Sequence, residues 1–253
     1  MSRDLLELNG IVIKVNPCRE NDILLDILSD ERGRIFVFVK NAAKKVKNLT
    51  FASPFAYSRF ELNRSSSGLL VYAGSTLHDY FPELRTDVIK MTVGQYFCEI
   101  ATSVPEKIDD PQVFLSLLLN SLYVLSGRAG PIETKHIKLV YEIAFLHLFG
   151  FMPDSSSCAS CDATPCFWHF DEGFLCEKCA SRYPDHELYR VNGAILSCIG
   201  HILNTSGGKR YAFKMSEDSF RALQWLSEEY IQYKLERKFK TLAIYRELIY
   251  EKP

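Results

Sequence analysis

The first eighty residues alternate between apolar and polar positions in short runs separated by turn residues. This period of two is typical of β-strands with one buried face. The glycine turn at Gly33 and the polar stretch 63–68 separate neighbouring runs. The pattern predicts five strands, over residues 10–15, 21–28, 34–40, 55–62 and 69–72. Five short strands with no long helix among them favour a small closed barrel of the OB type, and an open meander is the alternative.

After residue 80 the period of the apolar positions becomes that of an α-helix. Pro82 suits a first helical turn, Gly127, Gly130 and Gly150 suit helix ends, and Ser216 suits an N-cap. The pattern predicts six helices, over residues 82–104, 111–126, 131–149, 192–204, 216–235 and 241–250.

Four cysteines interrupt the helical region as two C-x-x-C pairs separated by fourteen residues. The two-residue spacing lets both thiolates of a pair point at one centre about 2.3 Å away, and two pairs complete a tetrahedral zinc shell. The predicted ligands of one structural Zn²⁺ per chain are Cys158, Cys161, Cys176 and Cys179. A closed shell leaves no position for a substrate, so the motif predicts architecture rather than chemistry.

Two disulfides are the alternative for these cysteines, and they require an oxidising compartment. Residues 1–7 lack the basic stretch and apolar core of a signal peptide, and the other four cysteines are scattered singly. We therefore expect reduced thiols in a soluble, cytoplasmic protein. Cys166 and His169 lie between the pairs and are substitute ligands in principle, but we expect both on a hairpin that joins the pairs.

The elements predict a multidomain α+β chain, and its 253 residues, 47% of them hydrophobic, suffice for a sizeable core. An N-terminal OB-type barrel is followed by an all-α domain that carries an inserted four-cysteine zinc module. The predicted boundaries are 1–80 for the barrel, 81–150 with 188–253 for the helical domain, and 151–187 for the module.

The net charge of −1 conceals a strong asymmetry. Residues 32–64 contain eight basic residues and one acidic residue, whereas residues 150–187 contain seven acidic and two basic residues. Clustered cations attract phosphate without sequence preference, and barrel aromatics (Phe36, Phe38 or Tyr57) offer faces on which bases stack. The predicted DNA-binding residues are Arg32, Arg34, Lys40, Lys44, Lys45 and Lys47. The competing interpretation is an ordinary solvated loop.

A second basic cluster joins the last two predicted helices. It consists of Lys234, Arg237, Lys238 and Lys240. Three interpretations stay open: a continued phosphate track, a site for an acidic peptide, and cations that complement a helix dipole.

The order of short motifs along the chain resembles that of the bacterial DNA repair protein RecO family. The matching segments cover nearly the whole chain, although each alone is short. They are Gly10-Ile-Val-Ile-Lys14, the run from Glu20 to Arg34, Val39-Lys40-x-Ala42-x-Lys44, Pro54-Phe55, Tyr80-Phe81-Pro82-x-Leu84-Arg85 and Phe149-Gly150-Phe151-x-Pro153.

The resemblance implies an OB-fold, a helical domain and a zinc-binding module. It also implies a nucleoid-associated, non-enzymatic protein that binds single- and double-stranded DNA, anneals strands and helps to load RecA. RecR and the acidic tail of single-stranded-DNA-binding protein are the further partners that it implies. The family's basic loop corresponds to Lys40, Lys44, Lys45 and Lys47, and its metal ligands to the four paired cysteines. One departure is Asn41, where the family usually has glycine; Asn tolerates a positive φ better than most residues.

Two other classes of function compete with a DNA-binding mediator. A zinc nucleobase deaminase needs a His or Cys beside a glutamate and then Pro-Cys-x-x-Cys, but here Leu175 precedes the second pair. No phosphate loop or catalytic triad motif is present either, so we expect no enzymatic activity. A zinc-ribbon adaptor or transcription factor that binds only protein is the main alternative, and the acidic surroundings of the cysteines favour it.

Overall fold

A computed structural model describes residues 5–18, 21–42 and 50–250 of the chain. The chain divides into two compact units. Unit 1 consists of residues 1–134 and 239–253, and unit 2 consists of residues 135–238. Among the described residues, no helix is both long enough and apolar enough to cross a membrane. The three domain boundaries drawn from the motifs stay a prediction.

All five predicted strands are present at the start of unit 1. They are β1 (Leu5–Pro17), β2 (Ile23–Ser29), β3 (Gly33–Val39), β4 (Tyr57–Arg64) and β5 (Leu70–Asp79). The strands close into a barrel in the order β1-β2-β3-β5-β4, so the sheet is not an open meander. Only the β3–β5 pair is parallel; the other four neighbouring pairs are antiparallel.

Two strands of the barrel are longer than their sequence pattern predicted. The first half of β1 pairs with β4, starting at Leu5 opposite Asn63, and its second half pairs with β2, ending at Pro17 opposite Ile23. β5 follows β4 as far as Asp79. The small polar residues from Gly74 onwards weaken the alternation there, so pairing with β4 rather than propensity extends this strand.

The barrel core follows from the alternation of β3. Ile35, Val37 and Val39 point inward and are buried, whereas Phe36 and Phe38 lie half-buried on the outer side. The inward residues join an apolar cluster with residues of β1, β2 and β4, and the partly buried Leu70 and Tyr72 of β5 pack against it. Burying one such aliphatic side chain contributes about 1.5–3 kcal/mol, so this cluster is the main source of barrel stability.

Seven helices lie among the described residues. They are α1 (Val88–Ala101), α2 (Pro111–Leu125), α3 (Thr134–Leu148), α4 (Glu177–Ala180), α5 (Gly193–Asn204), α6 (Glu217–Lys234) and α7 (Lys240–Tyr250). The prediction that the first helix begins at residue 82 was wrong. Pro82–Thr86 form a 3₁₀ turn, and the backbone of the next residue, Asp87, is extended. The Asp87 side chain accepts hydrogen bonds from the N–H groups of Ile89 and Lys90, so Asp87 is the N-cap of α1.

Unit 2 contains a small three-stranded sheet in the order β7-β6-β8. Its strands are β6 (Phe167–His169), β7 (Gly173–Leu175) and β8 (Leu188–Arg190). The β6–β7 hairpin joins the two cysteine pairs, as expected, whereas β8 was not predicted. Trp168 of β6 packs against Tyr230 of α6, with ring centroids 4.6 Å apart, so the sheet and α6 share a core. Ser216 caps α6 as predicted, accepting the N–H of Ser219.

Candidate metal centre and nucleic-acid interface

The four paired cysteines converge on one point in unit 2. Cys158 and Cys161 lie in the loop before β6, Cys176 follows β7, and Cys179 lies in α4. Their Sγ atoms all lie within 4.8 Å of one another. All eight cysteines are free thiols. The pairs thus offer four sulfur donors to one centre, which is the donor set that a structural zinc site uses.

Each cysteine pair is held by the same type of backbone turn. The carbonyl of Cys158 accepts the N–H groups of Cys161 and Asp162 at 3.3 and 3.2 Å. The carbonyl of Cys176 accepts those of Cys179 and Ala180 at 3.1 and 2.9 Å. Repeated turns of this kind point both thiols of a pair the same way, and the β6–β7 hairpin brings the two pairs together.

The electrostatics of the cluster fit a cation at its centre. Burial on its own raises the pKa of Cys158, but the backbone N–H groups of Cys176 and Ser160 lower it, to about 6 overall. The adjoining Cys161 thiol raises the pKa of Cys179 to about 12. The four thiols therefore do not all ionise on their own, and a bound divalent cation would stabilise their thiolate forms.

The single cysteines in the helical core behave differently. Burial raises the pKa of Cys198 to about 12 and also raises that of Cys98. Both side chains are buried, so they are inert core thiols rather than ligands.

The two substitute ligands considered from the sequence have other partners. Nδ1 of His169 accepts the N–H groups of Asp171 and Glu172 at 3.3 and 3.2 Å, and its Nε2 lies 3.2 Å from a Glu187 oxygen. This assigns the proton to Nε2, which donates to Glu187. The Cys166 thiol donates to Glu177 at 3.5 Å. Both residues lie outside the cluster and fasten the hairpin.

The predicted DNA-binding residues that the structure describes do not form one continuous patch. Lys44, Lys45 and Lys47 lie outside the described residues. Arg32 and Lys40 are both exposed, but they flank β3 at its opposite ends, roughly 25 Å apart at 3.3 Å per residue. Lys40 therefore adjoins the lysine-rich segment, and Arg32 lies at the far end of the strand.

Arg34 turns towards the protein. Its Nε donates to the buried carboxylate of Asp26 at 2.9 Å, and its Nη1 donates to the carbonyls of Thr102 and Val104 at 2.7 and 2.9 Å. Only 17% of its side chain is exposed. These contacts give Arg34 a structural role between β2, β3 and the residues after α1. Its guanidinium is therefore occupied within the protein and is a poor candidate for binding phosphate.

The aromatic residues considered for stacking lie on the outside of the barrel. Phe36, Phe38 and Tyr57 are all half-buried, so part of each ring is accessible. The guanidinium of Arg34 lies 5.2 Å from the centre of the Phe36 ring. Because Arg34 already covers this ring, Phe38 and Tyr57 are the better candidates for contact with a base.

The second basic cluster is neutralised in part by neighbouring carboxylates. Nζ of Lys234 lies 3.8 Å from Asp171 and over the rings of Tyr230 and Tyr233. Nζ of Lys238 lies 3.8 Å from Glu229. The other two members are Arg237 in unit 2 and Lys240 in unit 1. Lys234 also lies in the last turn of α6, so its position fits the helix-dipole interpretation best.

Sequence reasoning missed a buried group of charges in unit 2. Nζ of Lys138 lies 2.7 Å from Glu142 and 2.6 Å from Glu228, and all three side chains are buried. Ser227 donates to Glu142 at 2.8 Å. The i,i+4 spacing of Lys138 and Glu142 among the apolar positions of α3 was the available signal. The group ties α3 to α6 and is structural.

Family comparisons cover both parts of the chain. Residues 1–81 match the family model described as recombination protein O N terminal, and residues 85–243 match the one described as recombination protein O C terminal.

Curated relatives match over nearly the full length, each named DNA repair protein RecO. The relative from Acetivibrio thermocellus is 26% identical over 249 residues, which is 96% of this chain and 97% of the relative. That from Caldicellulosiruptor bescii is 26% identical over 247 residues, covering 96% and 98%. That from Desulforamulus reducens is 27% identical over 243 residues, covering 94% and 92%.

Proposed function

The chain belongs to the RecO family of DNA repair proteins, and from this premise we propose that it is a non-enzymatic mediator of recombinational repair. In this proposal it binds single- and double-stranded DNA and promotes the annealing of complementary strands. It helps to load the recombinase RecA through protein contacts, with RecR and the acidic tail of single-stranded-DNA-binding protein as partners.

The barrel is the proposed DNA-binding element, and we assign it to the OB type. It has five strands, closed through a short parallel contact between β3 and β5. Barrels of this type bind oligonucleotides on the face of their second and third strands and on the adjoining loops. Here that region carries Phe38 on β3 and Lys40 directly after it.

The observation that carries the proposal is the cationic end of β3. Lys40 is exposed and, within the described ranges, pairs with no carboxylate. Three further lysines follow within seven positions of it in the sequence. Cations without acidic partners are free to replace the counterions of a phosphate backbone, which drives binding without sequence preference.

The four-cysteine cluster is proposed to hold one structural Zn²⁺. Cys158, Cys161, Cys176 and Cys179 would be its ligands. Such an ion supplies a cross-link between the two turns and no open coordination position. The small apolar cluster around the cysteines would then owe its packing to the metal.

The proposal is tested by titrating a fluorescent single-stranded oligonucleotide and following its anisotropy at several salt concentrations. Changing Lys40, Lys44 and Lys45 together to alanine should weaken binding and flatten the salt slope by about 2, because each phosphate contact to a single strand contributes about 0.7. Lys209→Ala removes one exposed lysine from unit 2 and is the control for losing a lysine outside the loop; it should leave the salt slope unchanged.

The second candidate function is an adaptor that binds only protein. The observation in its favour is the module of residues 150–187, where all seven acidic side chains are exposed. An anionic surface repels DNA and attracts basic partners. If the wild-type protein left the anisotropy of the oligonucleotide unchanged at low salt, the adaptor would replace the mediator.

A further inference from the structure

Unit 2 contains a groove of about 940 Å³, lined by residues of α6 and of the three-stranded sheet with its turns. Four aromatic rings of this lining form a continuous row. From Trp225 through Tyr189 and Phe170 to Tyr233, the distances between consecutive ring centroids are 5.4, 4.6 and 5.5 Å. The groove therefore presents an extended aromatic surface within a single unit.

The Tyr233 end of this row is occupied by the protein's own side chains. The Tyr233 hydroxyl donates to both carboxylate oxygens of Asp171, at 2.7 and 2.6 Å. Nζ of Lys234 lies 5.3 Å from the centre of the Tyr233 ring. A ligand would have to displace these contacts, so this end of the row is the less available one.

The Trp225 end of the row is open. Trp225 is 47% exposed, whereas the second tryptophan, Trp168, is fully buried. The planes of the Trp225 and Tyr189 rings meet at 63°, and within the described ranges no lysine or arginine lies over either ring. Arg221, one turn earlier on α6, lies 3.7 Å from Glu217 instead. The two rings thus form an angular box with accessible faces.

Such a box is a favourable site for a cation. The face of an aromatic ring attracts ammonium and guanidinium groups, most strongly when the ring is that of tryptophan. The guanidinium is planar and also stacks on the ring, so arginine is the side chain best suited to Trp225.

Carboxylates lie around the open end of the row. Glu229 follows Trp225 by four positions on α6, so the two side chains share one face of the helix. Glu187, two residues before Tyr189, lines the groove from the side of the sheet. The surrounding module of residues 150–187 has seven acidic and two basic residues. The electrostatic potential at this end should therefore attract a positively charged ligand.

The lysine and arginine residues of the lining, Lys234, Arg237 and Lys238, lie at or beyond the C-terminal end of α6. Lys234 follows Trp225 by nine residues, roughly 13 Å along the helix axis at 1.5 Å per residue. Nζ of Lys238 lies 3.8 Å from Glu229, but 82% of that lysine side chain is exposed, so the contact is weak. An acidic ligand would meet four carboxylates in the lining, which are Asp171, Glu187, Glu229 and Glu236. Charge therefore favours a basic ligand over an acidic one.

From this geometry we propose that the groove binds an extended, basic segment of a partner protein, with an arginine guanidinium stacked on Trp225 and paired with Glu229. Its volume lies within the roughly 300–1,000 Å³ that is typical of ligand pockets and suffices for a few residues of peptide. The inference goes beyond the proposed function and does not depend on it, because no residue of the barrel takes part.

The test uses a fluorescein-labelled peptide of alternating glycine and arginine, titrated with the full chain and followed by anisotropy. The matched peptide carries citrulline, which keeps the shape of arginine without its charge, and we expect the wild-type protein to bind only the arginine peptide. Trp225→Leu keeps an apolar side chain but no ring and should weaken binding about tenfold, through loss of one partly desolvated cation–π contact. Its remaining emission comes from the buried Trp168, so a maximum at short wavelength shows that unit 2 is folded.

Glu229→Gln should weaken binding of the arginine peptide about threefold, because it removes one paired charge. Glu217→Gln is its matched control, since it removes an exposed carboxylate from the same helix but outside the groove, and it should bind as the wild type does. Equal losses in these two variants would mean that the acidic surface attracts the peptide without the groove, and the proposal would fall.

Three further results would overturn the proposal. The first is equal binding of the arginine and citrulline peptides, and the second is wild-type affinity of folded Trp225→Leu for the arginine peptide. The third is tighter binding of a glycine–glutamate peptide that Trp225→Leu abolishes, which would assign the groove to an acidic ligand. In the oligonucleotide titration, Trp225→Leu should match the wild type; a loss of DNA affinity there would make Trp225 a base-stacking residue instead.

Discussion

The interiors of the barrel and of unit 2 are built from different chemistry. The core cluster of the barrel consists only of apolar side chains. Unit 2 also has an apolar core, but it encloses four convergent thiols and a buried group of one lysine and two glutamates. An apolar core stabilises itself through burial, whereas buried ionisable groups stabilise a fold only while each has its partner. We therefore expect unit 2 to be far more sensitive to loss of a single polar group.

The largest effect should come from removing the proposed Zn²⁺. Chelation, or Cys176→Ser, should unfold the module around the cysteines, because structural zinc contributes about 10–16 kcal/mol in small zinc domains. Both tryptophans of the chain, Trp168 and Trp225, lie in unit 2, so their fluorescence reports on that unit alone. In a Trp225→Phe background, emission from the fully buried Trp168 should shift to the red on chelation.

Cys18→Ser is the matched control for the metal. Cys18 is an exposed cysteine outside the cluster, so its loss should change neither the zinc content nor the emission of Trp168. A full zinc equivalent in Cys176→Ser would disprove the ligand assignment. An unchanged Trp168 spectrum after complete chelation would show that the module does not need its metal.

The next largest effect concerns the buried charges of unit 2. Lys138→Met would leave the carboxylates of Glu142 and Glu228 facing each other without their shared cation, and breaking a buried pair in this way costs about 3–5 kcal/mol. Burial already raises the pKa of Glu142, which shows how unfavourable its charged form is there. The measurement is the urea midpoint of unfolding, followed through Trp168.

Arg221→Met provides a matched comparison within the same unit. Arg221 and Glu217 also form an i,i+4 pair, at 3.7 Å, but both side chains are mostly exposed. Exposed pairs of this kind contribute about 0.5 kcal/mol or less. Equal losses in the two variants would show that burial is not what makes the Lys138 group important.

The features that the sequence predicted are those determined by neighbouring residues. The alternation of apolar and polar residues in β3 and the spacing of Cys158 and Cys161 involve only residues that are close in sequence. The first predicted a strand with one buried face, and the second predicted that the two thiols lie together. The inward turn of Arg34 was not predictable, because its carbonyl partners lie 68 and 70 positions away. Glu228 likewise lies 90 positions from Lys138. A charged residue in a basic stretch cannot be assigned to solvent or core until such distant partners are known.

The barrel also contains a buried ion pair, Arg34 with Asp26, outside its apolar cluster. The interiors of the barrel and of unit 2 therefore differ in degree, because both depend on paired charges. Arg34→Met would strand the Asp26 carboxylate, which is 1% exposed, at a cost of about 3 kcal/mol. Burial raises the pKa of Asp26, and the hydrogen bond from Arg34 offsets this in part, so loss of Arg34 should raise that pKa further. Stability from such a group is complete below the unfolded pKa and is lost as pH rises through the folded pKa. The destabilisation should therefore be larger at pH 8 than at pH 5 in urea unfolding.

Arg59→Met is the control for Arg34. Arg59 also pairs with a carboxylate of the barrel, that of Glu7, but both side chains are well exposed. Its loss should leave the unfolding midpoint close to that of the wild type at either pH. If Arg34→Met behaved in the same way, the Asp26–Arg34 pair would be no more important than a surface contact.

The smallest effect should come from Asn41, which lies in the backbone turn directly after β3. Asn41→Ala places an ordinary side chain at a φ of +52°, which costs about 1 kcal/mol, whereas Asn41→Gly removes the steric conflict. We expect the urea midpoint to fall for alanine and to stay level or rise slightly for glycine. Because Asn41 is exposed, burial cannot explain a difference between the two variants. Equal midpoints would mean that the turn tolerates another conformation, and that the barrel core alone determines the stability of this region.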